Sequence, residues 1–593
     1  MKYLSHSSDI CIVGGGISGM CAAVAAARHG AKVILINDRP VLGGNASSEV
    51  RMWFSGAHGD NMRETGLVEE INLENNYRNP SSNFSIWDSV LYEFVKYTPG
   101  IELFLNCSVN DATMNENGSI ATVKGWQGTS ETWHTFSAEL FLDCSGDSIL
   151  STLTGAEYRI GREARAEFGE DIEPEETDRK TMGMSCLLQT RETDHPVTYI
   201  PPKWARVFKT PEELPNRHIG FKGLNNFWWI ELGGEEDSIH DTDALRDRLL
   251  PIAFGVWDHI KNRGNYGAEN WELEWVGSLP GKRESRRYIG AHILTQNEVR
   301  AEGRFHDLIA YGGWTMDDHN PGGFNYPGKP TIFHPAPSPY GIPYRCLYSR
   351  NIPNLMFAGR NISVTHAAMS STRVMFTCAT LGQAAGTAAA IAIREKCLPS
   401  GVYEHHIDEL RQTLADDDSY LPWFTRAIPE VSRTARLTAS AGDPEPLRNG
   451  IDRPVKDASG TWQENAWTGK PGSWVQYEFD APTHLTQARF TFDSDLNRKG
   501  KGEASNHSEK NILSNYPLHL PPRTVPPTII KSFRLEALDE NGSWKTIFRE
   551  ENNYQRLVRV PLDITTQAIR FIPEGTWGAE SCRLFAFEVN SAG

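Results

Sequence analysis

Apolar and polar positions near the start of the chain follow the order strand, glycine turn, helix, strand. The residues Asp9-Ile-Cys-Ile-Val13 form a short apolar run that ends in glycines, and an alanine-rich stretch follows them. A second apolar run, Val33-Ile-Leu-Ile36, comes next. Short apolar runs bounded by glycine are typical of buried strands, whereas a longer alanine-rich stretch is typical of a helix. The pattern therefore predicts a β-α-β unit at the beginning of the chain.

Further apolar runs predict more strands and one long helix. The predicted strands cover Ile101 to Leu105, Ile120 to Lys124, Glu131 to Ser137, Leu140 to Asp143 and Leu355 to Ala358. Turn residues such as Asn115-Glu-Asn-Gly118 separate the early runs, which is typical of a small meander. The uncharged run from Phe376 to Ile393 is mostly Ala, Gly and Thr, which makes it a poor membrane span by hydropathy. We therefore expect a buried, tightly packed helix there.

The character of the chain changes twice. Between about residues 155 and 345 the pattern is irregular, with many aromatic residues and several prolines, which suits a second domain laid over the first. Beyond about residue 428, short alternating segments such as Trp474-Val-Gln-Tyr-Glu-Phe479 predict an all-β module. Within it, the polar stretch from Asp493 to Pro527 predicts a long surface loop.

Length, charge and cysteine content narrow the classes of protein. At 593 residues the chain is too long for one hydrophobic core, and roughly 100–200 residues per domain predict three or four domains. With 75 acidic against 59 basic side chains the net charge is -16, which disfavours nucleic acid and anionic membranes as partners. Nine cysteines without a CxxC pair predict neither a disulfide framework nor a metal site, and they favour a reducing, cytoplasmic location.

A glycine motif, Gly14-Gly-Gly-Ile-Ser-Gly19, stands between the first predicted strand and the first predicted helix. In this context Gly14 permits a tight turn, Gly16 lets the backbone approach a pyrophosphate, and Gly19 allows close packing of the helix on the sheet. The phosphates then meet the positive end of the helix dipole. The motif therefore predicts a dinucleotide site.

The acid that binds the adenosine ribose is expected about 20 residues after such a motif, where the second strand ends. Asn37 and Asp38 stand at that place. Both side chains can accept a hydrogen bond from a ribose hydroxyl, so the sequence leaves open which of the two does so.

A set of short segments in a specific order resembles the FAD-dependent oxidoreductase family with the glutathione-reductase type of flavin fold. The segments span about residues 9 to 395 and are Leu42-Gly-Gly-Asn-Ala46, Asp143-Cys-Ser-Gly-Asp147, Gly161-Arg-Glu-Ala-Arg165, Arg283-Glu-Ser-Arg-Arg287, Asn354-Leu-Met-Phe-Ala-Gly-Arg360 and Gly382-Gln-Ala-Ala-Gly386. The resemblance implies that FAD is the cofactor and that the protein is an oxidoreductase.

The same resemblance assigns residues to the cofactor. It implies contacts by Gly43 and Gly44 with the diphosphate, by Gly146 and Asp147 in a second nucleotide-contacting turn, by Gly359 and Arg360 with the ribityl chain, and also by Ser18, Asn45, Arg51, Gln383 and Ala384. It further implies that Gly382 to Gly386 open a helix that points at the flavin ring. Such a helix end stabilises negative charge on the reduced flavin.

Oxidation of an alcohol needs a base for the hydroxyl proton, and histidine suits that role near neutral pH. His366 is the preferred candidate because it lies between Gly359-Arg360 and the flavin-facing helix. His319 is the second candidate, since Asp318 and a flexible Asn320-Pro-Gly-Gly323 segment adjoin it. His58 and His334 also fall in candidate segments.

Arg373 lies close to His366 in the sequence and is the third candidate for catalysis. Its guanidinium suits a substrate carboxylate or hydroxyl, or the flavin itself. A metal at Asp317-Asp318-His319 is disfavoured, because no second ligand cluster has suitable spacing. The tryptophans Trp53, Trp228, Trp229 and Trp314 suit either stacking on a sugar ring or packing in a core.

From about residue 430 the chain resembles a discoidin-like β-sandwich of the galactose-binding type, a module often joined to carbohydrate-active enzymes. The matching features are Asn449-Gly-Ile-Asp452, Trp462, Trp467, the strand Trp474 to Phe479, Phe533 to Ala537, Asn541 to Trp544 and Arg583 to Val589. Such a module suits glycan binding, binding of a partner subunit, or support of the flavin domain.

Together these patterns predict an α/β fold with a Rossmann-like FAD-binding domain, an interposed α+β substrate domain and a C-terminal all-β sandwich. The predicted boundaries are 1–154 with 346–398 for FAD, 155–345 for the substrate domain, 399–429 for a helical connector and 430–593 for the sandwich. The first functional hypothesis is oxidation of a hydroxyl on a sugar, glycoside or polyol. A C=C reductase or desaturase, and a glycan-binding or assembly protein with a structural flavin, are the alternatives.

Overall fold

The computed structural model describes residues 1–220, 226–498 and 515–591. The chain forms two compact units, each built from several stretches of sequence. The first unit comprises Met1–Ala57, Ser82–Leu410 and Lys510–Pro522. The second comprises His58–Ser81, Arg411–Glu509 and Arg523–Gly593.

The strands up to residue 143 belong to one twisted sheet of the first unit. They are β1 (Lys2–Val13), β2 (Val33–Ile36), β3 (Ile101–Phe104), β4 (Cys107–Met114), β5 (Ile120–Gln127) and β6 (Thr132–Asp143). The strand order is β3-β2-β1-β6-β5-β4, with parallel pairs from β3 to β6 and antiparallel pairs beyond. The predicted strands at 131–137 and 140–143 form one continuous strand, β6, because both halves pair with β1.

The strands of residues 158–343 form small sheets over this core. They are β7 (Tyr158–Arg159), β8 (Met184–Ser185), β9 (Leu188–Glu192), β10 (Glu231–Leu232), β11 (Trp271–Val276), β12 (Gly281–Lys282), β13 (Arg287–Tyr288), β14 (Leu308–Gly312), β15 (Met316–His319), β16 (Thr331–His334) and β17 (Tyr340–Pro343). The chain then returns to the large sheet through β18 (Leu355–Phe357), which pairs in parallel with the end of β6.

Helices cover the sheets of both units. In chain order they are α1 (Ile17–Arg28), α2 (Leu67–Arg78), α3 (Phe84–Lys96), α4 (Ile149–Thr154), α5 (Arg165–Phe168), α6 (Thr242–Asp258), α7 (Gln296–Arg300), α8 (His366–Thr372), α9 (Met375–Glu395), α10 (Pro399–His405), α11 (Ile407–Asp416) and α12 (Glu430–Thr434). The predicted β-α-β unit of β1, α1 and β2 is confirmed, and its apolar strand residues are buried.

Helix α9 packs against α1 at unusually short range. A Cβ atom on Gly382 would lie 2.1 Å from the carbonyl oxygen of Ser18, and one on Gly386 would lie 2.1 Å from that of Ala22. The prediction that Gly382 to Gly386 open this helix is wrong, because α9 begins at Met375. These glycines instead let two helices approach closely.

The prediction that α9 is buried is confirmed. By length and composition it could cross a membrane, since its most apolar 18-residue stretch has a mean hydropathy of 1.4. However, 94% of that stretch is buried inside the protein. A core helix satisfies the same criteria of length and composition, so the buried surface fits a place in the protein interior.

The second unit contains a sheet that is entirely antiparallel. Its strands are β19 (Arg436–Ala439), β22 (Trp467–Gly469), β23 (Val475–Phe492), β25 (Ile530–Leu538), β26 (Trp544–Glu550), β27 (Leu557–Thr576) and β28 (Cys582–Ser591). Two further strands, β20 (Val455–Lys456) and β21 (Trp462–Gln463), form a separate two-stranded sheet, and β24 (Asn515–Tyr516) belongs to the first unit. The main order is β22-β28-β23-β27-β25-β26. Val475 and Tyr477 point into its core, so the predicted all-β module is confirmed.

The segment 493–527, predicted as a surface loop, is described only in part. Residues 499–514 of it lie outside the described residues. The described part contains β24, which pairs in parallel with β9 of the first unit.

The α1–α9 contact predicts a selective effect of one methyl group. Gly382→Ala should lower the free energy of unfolding by about 2 kcal/mol, because the new Cβ would overlap the carbonyl of Ser18. Gly128→Ala is the matched control, since its Cβ would lie at an ordinary 3.5 Å from the indole nitrogen of Trp126. Chemical denaturation of both variants measures the difference, and equal stability would contradict the packing argument.

Candidate active site

A cavity of about 580 Å³ opens in the first unit where β1, β2 and β6 end. The turns after these strands line it, beginning with Gly14, Asn37 and Ser145. Because the strands are parallel, their carboxyl ends meet at one edge of the sheet, where ligands of open α/β sheets bind. The predicted dinucleotide motif therefore lies at the expected place.

The glycine motif forms a cradle that larger residues would fill. Gly14 has φ +108°, and a Cβ there would lie 2.5 Å from the backbone of Cys144. Gly16 lines the cavity, and a Cβ there would meet no atom within 4 Å. Gly16 caps α1 without any side-chain hydrogen bond, so the first amides of that helix can bind an anion.

Asn37 holds the loop after β2. Its Oδ1 accepts a hydrogen bond from the amide of Gly15 at 3.0 Å, and its Nδ2 donates to the carbonyls of Arg39 and Val41 at 3.1 and 2.9 Å. Asp38 also lines the cavity and is exposed. The geometry therefore favours Asp38 as the side chain that meets a ribose, with Asn37 as its support.

The turn after β6 carries a compact charge network. Gly146 has φ +75°, and its carbonyl accepts a hydrogen bond from Arg360 at 3.0 Å. Asp147 lies 2.9 Å from both Arg360 and Lys282, and Ser285 donates to it at 2.7 Å. Burial alone would raise the pKa of Asp147, but these two cations outweigh burial and lower it. The carboxylate therefore stays ionised and holds both cations at the cavity wall.

The predicted cofactor residues as a whole divide into two groups. Those that line the cavity are Gly14, Gly16, Ser18, Asn37, Asp38, Gly43, Gly44, Asn45, Gly146, Asp147, Gly359 and Arg360. Those that lie outside the lining are Gly19, Arg51, Gly382, Gln383 and Ala384. Gly19 packs against the carbonyl of Gly14, and Arg51 lies over the rings of Phe84 and Trp275.

The described residues of this region fit FAD. Four cations, Arg39, Lys282, Arg286 and Arg360, face two acids, Asp38 and Asp147, around the nucleotide turns. The excess of two positive charges matches the charge of a diphosphate. The open space at Gly16 and the uncapped end of α1 lie on the same wall.

A second group of charged residues surrounds His319, which lines the cavity. Its Nδ1 lies 2.7 Å from Glu231, and its Nε2 lies 3.2 Å from Asp317. Arg373 donates to the carbonyl of Asp317 at 3.1 Å, and Arg283 lies 3.5 Å from Glu231. All five side chains are largely buried. Two carboxylates thus balance two guanidinium groups beside one imidazole.

Burial and charge act in opposite directions on these two carboxyl groups. Burial raises the pKa of Asp317, but His319 and Arg373 outweigh it and lower that pKa. Burial likewise raises the pKa of Glu231, and Arg283 and His319 outweigh it. Both groups therefore remain carboxylates at neutral pH.

His366, the preferred candidate from the sequence, is not among the described residues that line the cavity. It begins α8 behind the wall, with Nδ1 2.9 Å from Glu284 and Nε2 3.4 Å from Asp318. Burial alone would lower the pKa of His366, but Glu284 and Asp318 outweigh burial and raise it well above its ordinary value. An imidazolium held in this way supports the wall from behind and does not line the cavity.

Strand alternation explains why His319 and His366 lie on opposite sides of the cavity wall. Asp317 and His319 are two residues apart on β15 and line the cavity, whereas Asp318 between them points to His366. Likewise Arg283 lines the cavity and Glu284 points to His366. The wall therefore has a front face with His319 and a back face with His366.

Three more glutamates surround the back face. Glu163 accepts a hydrogen bond from the backbone amide of His366 at 2.9 Å, and Glu170 accepts one from the hydroxyl of Thr365 at 2.7 Å. Neither side-chain oxygen of Glu173 has a hydrogen-bond partner among the described residues, although the side chain is buried. Burial, and the nearby Glu163 and Glu170, raise the pKa of Glu173 to about 7, against the opposing effect of His366.

The remaining candidates from the sequence lie in different places. Trp53, Trp228 and Trp314 line the cavity, whereas Trp229 is buried in a hydrophobic core between residues 184 and 324. His334 lies on β16 outside the lining, and His58 belongs to the second unit. The described residues contain no cluster that could hold a metal ion.

Sequence reasoning missed Glu231, Lys282 and Arg39. Lys282 directly precedes the segment 283–287 that carried part of the resemblance, and Arg39 directly follows the expected ribose acid. Both positions therefore directly adjoin residues that the sequence already marks as part of the family resemblance or of the cofactor site. Glu231 comes to His319 from 88 residues away, and no local pattern marks it.

Comparisons with known proteins agree with this geometry. Residues 9–414 match the family model described as "FAD dependent oxidoreductase". No curated protein matches the chain.

Solved structures resemble separate parts of the chain at low identity. A geranylgeranyl bacteriochlorophyll reductase-like protein from Thermoplasma acidophilum is 13% identical, with a TM-score of 0.33, and covers 70% of this chain and 86% of its own. A family 32 carbohydrate-binding module of Streptococcus pneumoniae EndoD is 14% identical, with a TM-score of 0.20, and covers 28% of this chain and 99% of its own. A CBM32 module from Clostridium perfringens, in complex with GalNAc-β-1,3-galactose, is 8% identical, with a TM-score of 0.18, and covers 27% of this chain and 97% of its own.

The cradle at Gly16 predicts loss of the cofactor without loss of the fold. Gly16→Asp should purify without flavin, because its carboxylate would enter the space next to the phosphates and repel them. Its secondary structure by circular dichroism should match that of wild-type protein from which FAD has been removed. Retention of a full complement of flavin absorbance would contradict this placement.

The buried Glu173 predicts a pH-dependent gain in stability. Because its pKa rises from 4.5 to about 7 on folding, wild type loses stability as pH rises between these values. Glu173→Gln should therefore gain about 2 to 3 kcal/mol of unfolding free energy over wild type between pH 5 and pH 8. Glu175→Gln, at a side chain that is 78% exposed, is the control and should show no such gain. A gain that does not depend on pH would refute the argument.

Proposed function

The chain belongs to the FAD dependent oxidoreductase family, and on that basis we propose that it oxidises a hydroxyl group of a sugar, glycoside or polyol. Bound FAD supplies the acceptor for the hydride from the carbinol carbon. Gly14 to Ser18, Gly43 and Gly44 would hold its diphosphate region, together with the Arg360–Asp147–Lys282 network. The observation that carries the proposal is the placement of His319 in the cavity wall between two carboxylates.

His319 is the base in this proposal. Its Nδ1 donates to Glu231 at 2.7 Å, which fixes the ring, and in the neutral form of the ring Nε2 is then the nitrogen that accepts the hydroxyl proton. The 3.2 Å contact of Nε2 with Asp317 is the longer of the two, and a substrate hydroxyl takes its place. The ionised Glu231 then stabilises the imidazolium that forms, as a buried carboxylate does in catalytic triads.

The charges around His319 favour a neutral substrate. Arg283 is balanced by Glu231, and Arg373 by Asp317, so this half of the cavity has no net charge when His319 is neutral. A substrate with a carboxylate would add an unbalanced negative charge in a buried place, which is costly. A polyol or sugar adds hydroxyl groups, and the charged side chains can hydrogen-bond to them.

Aromatic side chains complete the fit to a sugar ring. Trp228 and Trp314 line the same cavity, and Trp228 meets His319 edge-on with ring centroids 5.0 Å apart. An indole face packs well on the C–H face of a pyranose, and its neighbours supply the polar contacts. This combination supports a cyclic polyol over a simple alcohol.

A second candidate is reduction or desaturation at a C=C bond, with Arg373 as the proton donor. The guanidinium lines the cavity, and its Nε has no hydrogen-bond partner among the described residues. This function would need Arg373 and would be independent of His319.

Replacing His319 separates the two functions. His319→Asn should keep FAD but lower the rate of anaerobic flavin reduction by sugars at least 100-fold, because general base catalysis is lost. His334→Asn is the matched control, since His334 lies on the same hairpin outside the lining and should keep the rate within about twofold of wild type.

Two results would contradict hydroxyl oxidation. One is a flavin that stays oxidised with a broad panel of glycosides and polyols. The other is turnover that survives His319→Asn but disappears in Arg373→Met with FAD still bound, which would favour the C=C chemistry.

A further inference from the structure

Phe333 shares a face of one hairpin with the candidate base. Strands β15 and β16 pair so that Phe333 lies directly opposite Asp317, and Thr331 opposite His319. Side chains of directly opposed residues point to the same side of an antiparallel pair, about 5 Å apart at Cβ. The ring of Phe333 therefore stands beside the group that contacts His319, and it lines the same cavity.

Phe333 is nevertheless 57% exposed. Among the large apolar side chains that the described residues leave exposed, it is the only phenylalanine. No aromatic ring of the described chain contacts it. An exposed apolar ring that lines a cavity of mixed polar and apolar surface is available for a ligand to cover.

The cavity already holds aromatic rings further in. Trp228 and Trp314 are less exposed than Phe333 and lie near His319 and α8. A sugar ring that places one hydroxyl at His319 can stack on these inner rings. Phe333, at the rim, is then available for a part of the substrate that reaches toward solvent.

We propose that Phe333 forms an outer subsite that stacks on a second ring of the substrate, which is thus a glycoside or a disaccharide rather than a free monosaccharide. This rests on the proposed oxidation of a sugar hydroxyl at His319. The shared chemistry of the second ring is a flat apolar face, which an aryl group and the C–H face of a pyranose both present.

The neighbouring residue provides a matched control. Ile332 is 58% exposed, almost the same as Phe333, and lies on the same strand. It pairs with Asp318 on the other face of the hairpin and is not part of the cavity lining. Loss of Ile332 removes a similar exposed apolar surface without touching the outer subsite.

The test titrates the FAD-loaded enzyme without oxygen. The probes are phenyl and methyl β-glycosides of glucose and galactose, the disaccharides cellobiose and lactose, and the free monosaccharides. The change in flavin absorbance reports binding, and bleaching of the flavin reports oxidation separately. Wild type should bind the phenyl glycosides about tenfold more tightly than the methyl glycosides, as expected for one well-packed aromatic contact.

Phe333→Ala should reduce this preference to near onefold, whereas Ile332→Ala should keep it. A stronger effect on the phenyl glycosides than on the disaccharides would identify the second ring as an aryl group, and the reverse would identify it as a sugar. Two results would overturn the outer subsite. One is that wild type binds phenyl and methyl glycosides equally well, and disaccharides and monosaccharides equally well. The other is a second-ring preference that survives Phe333→Ala. Bleaching by the methyl glycosides would then leave the proposed function standing.

The same titration can also contradict the proposed function while it supports the outer subsite. A second-ring preference that depends on Phe333, without bleaching by any probe, would support the subsite and contradict hydroxyl oxidation. Absence of both binding and bleaching with every probe would overturn both.

Discussion

Close backbone contact at the ends of three parallel strands determines the rest of this structure. After β1, Gly14 leaves no room for a side chain against Cys144, which follows β6. After β18, a Cβ on Gly359 would lie 2.8 Å from the hydroxyl of Ser18, in the first turn of α1. Gly382 brings α9 onto the same turn. Because each contact excludes even a methyl group, the turns converge, and the cavity forms where their free amides and carbonyls face each other.

The wall of the cavity contains two layers of paired charges, one on its front face and one on its back face, because side chains alternate along the strands. Each buried charge on the front face has an opposite charge beside it, and so does His366 on the back face. Burial of charges is costly unless such partners compensate, so neither layer is stable in its observed charge state without its partners. The charge state of the front face therefore depends in part on Glu231, which lies outside the cavity lining.

Much of the fold and of the cofactor site could be predicted, because the signals are local. The glycine motif, its strand and its helix are contiguous, and Gly43 and Gly146 follow strands that the apolar pattern marks. The choice between His366 and His319 could not be made in this way. Distance along the chain favoured His366, but the side of the wall on which each side chain lies depends on the pairing of β15 with β16, and the contact with Glu231 comes from 88 residues away. Likewise Asn37 stands where an acid was expected, and only its contacts with Gly15 and Val41 explain it.

The hairpin of β15 and β16 pairs only with itself among the described strands, apart from both large sheets. Its two strands carry the acid–base face and the exposed ring at the rim, while the glycine turns that suit the cofactor lie elsewhere in the chain. Because Glu231, Arg373 and His366 contact the hairpin from outside it, an exchange of this short insert would have to include these partners. If the proposed function holds, such an exchange would change the selectivity for the substrate and leave the glycine turns that suit the cofactor unchanged.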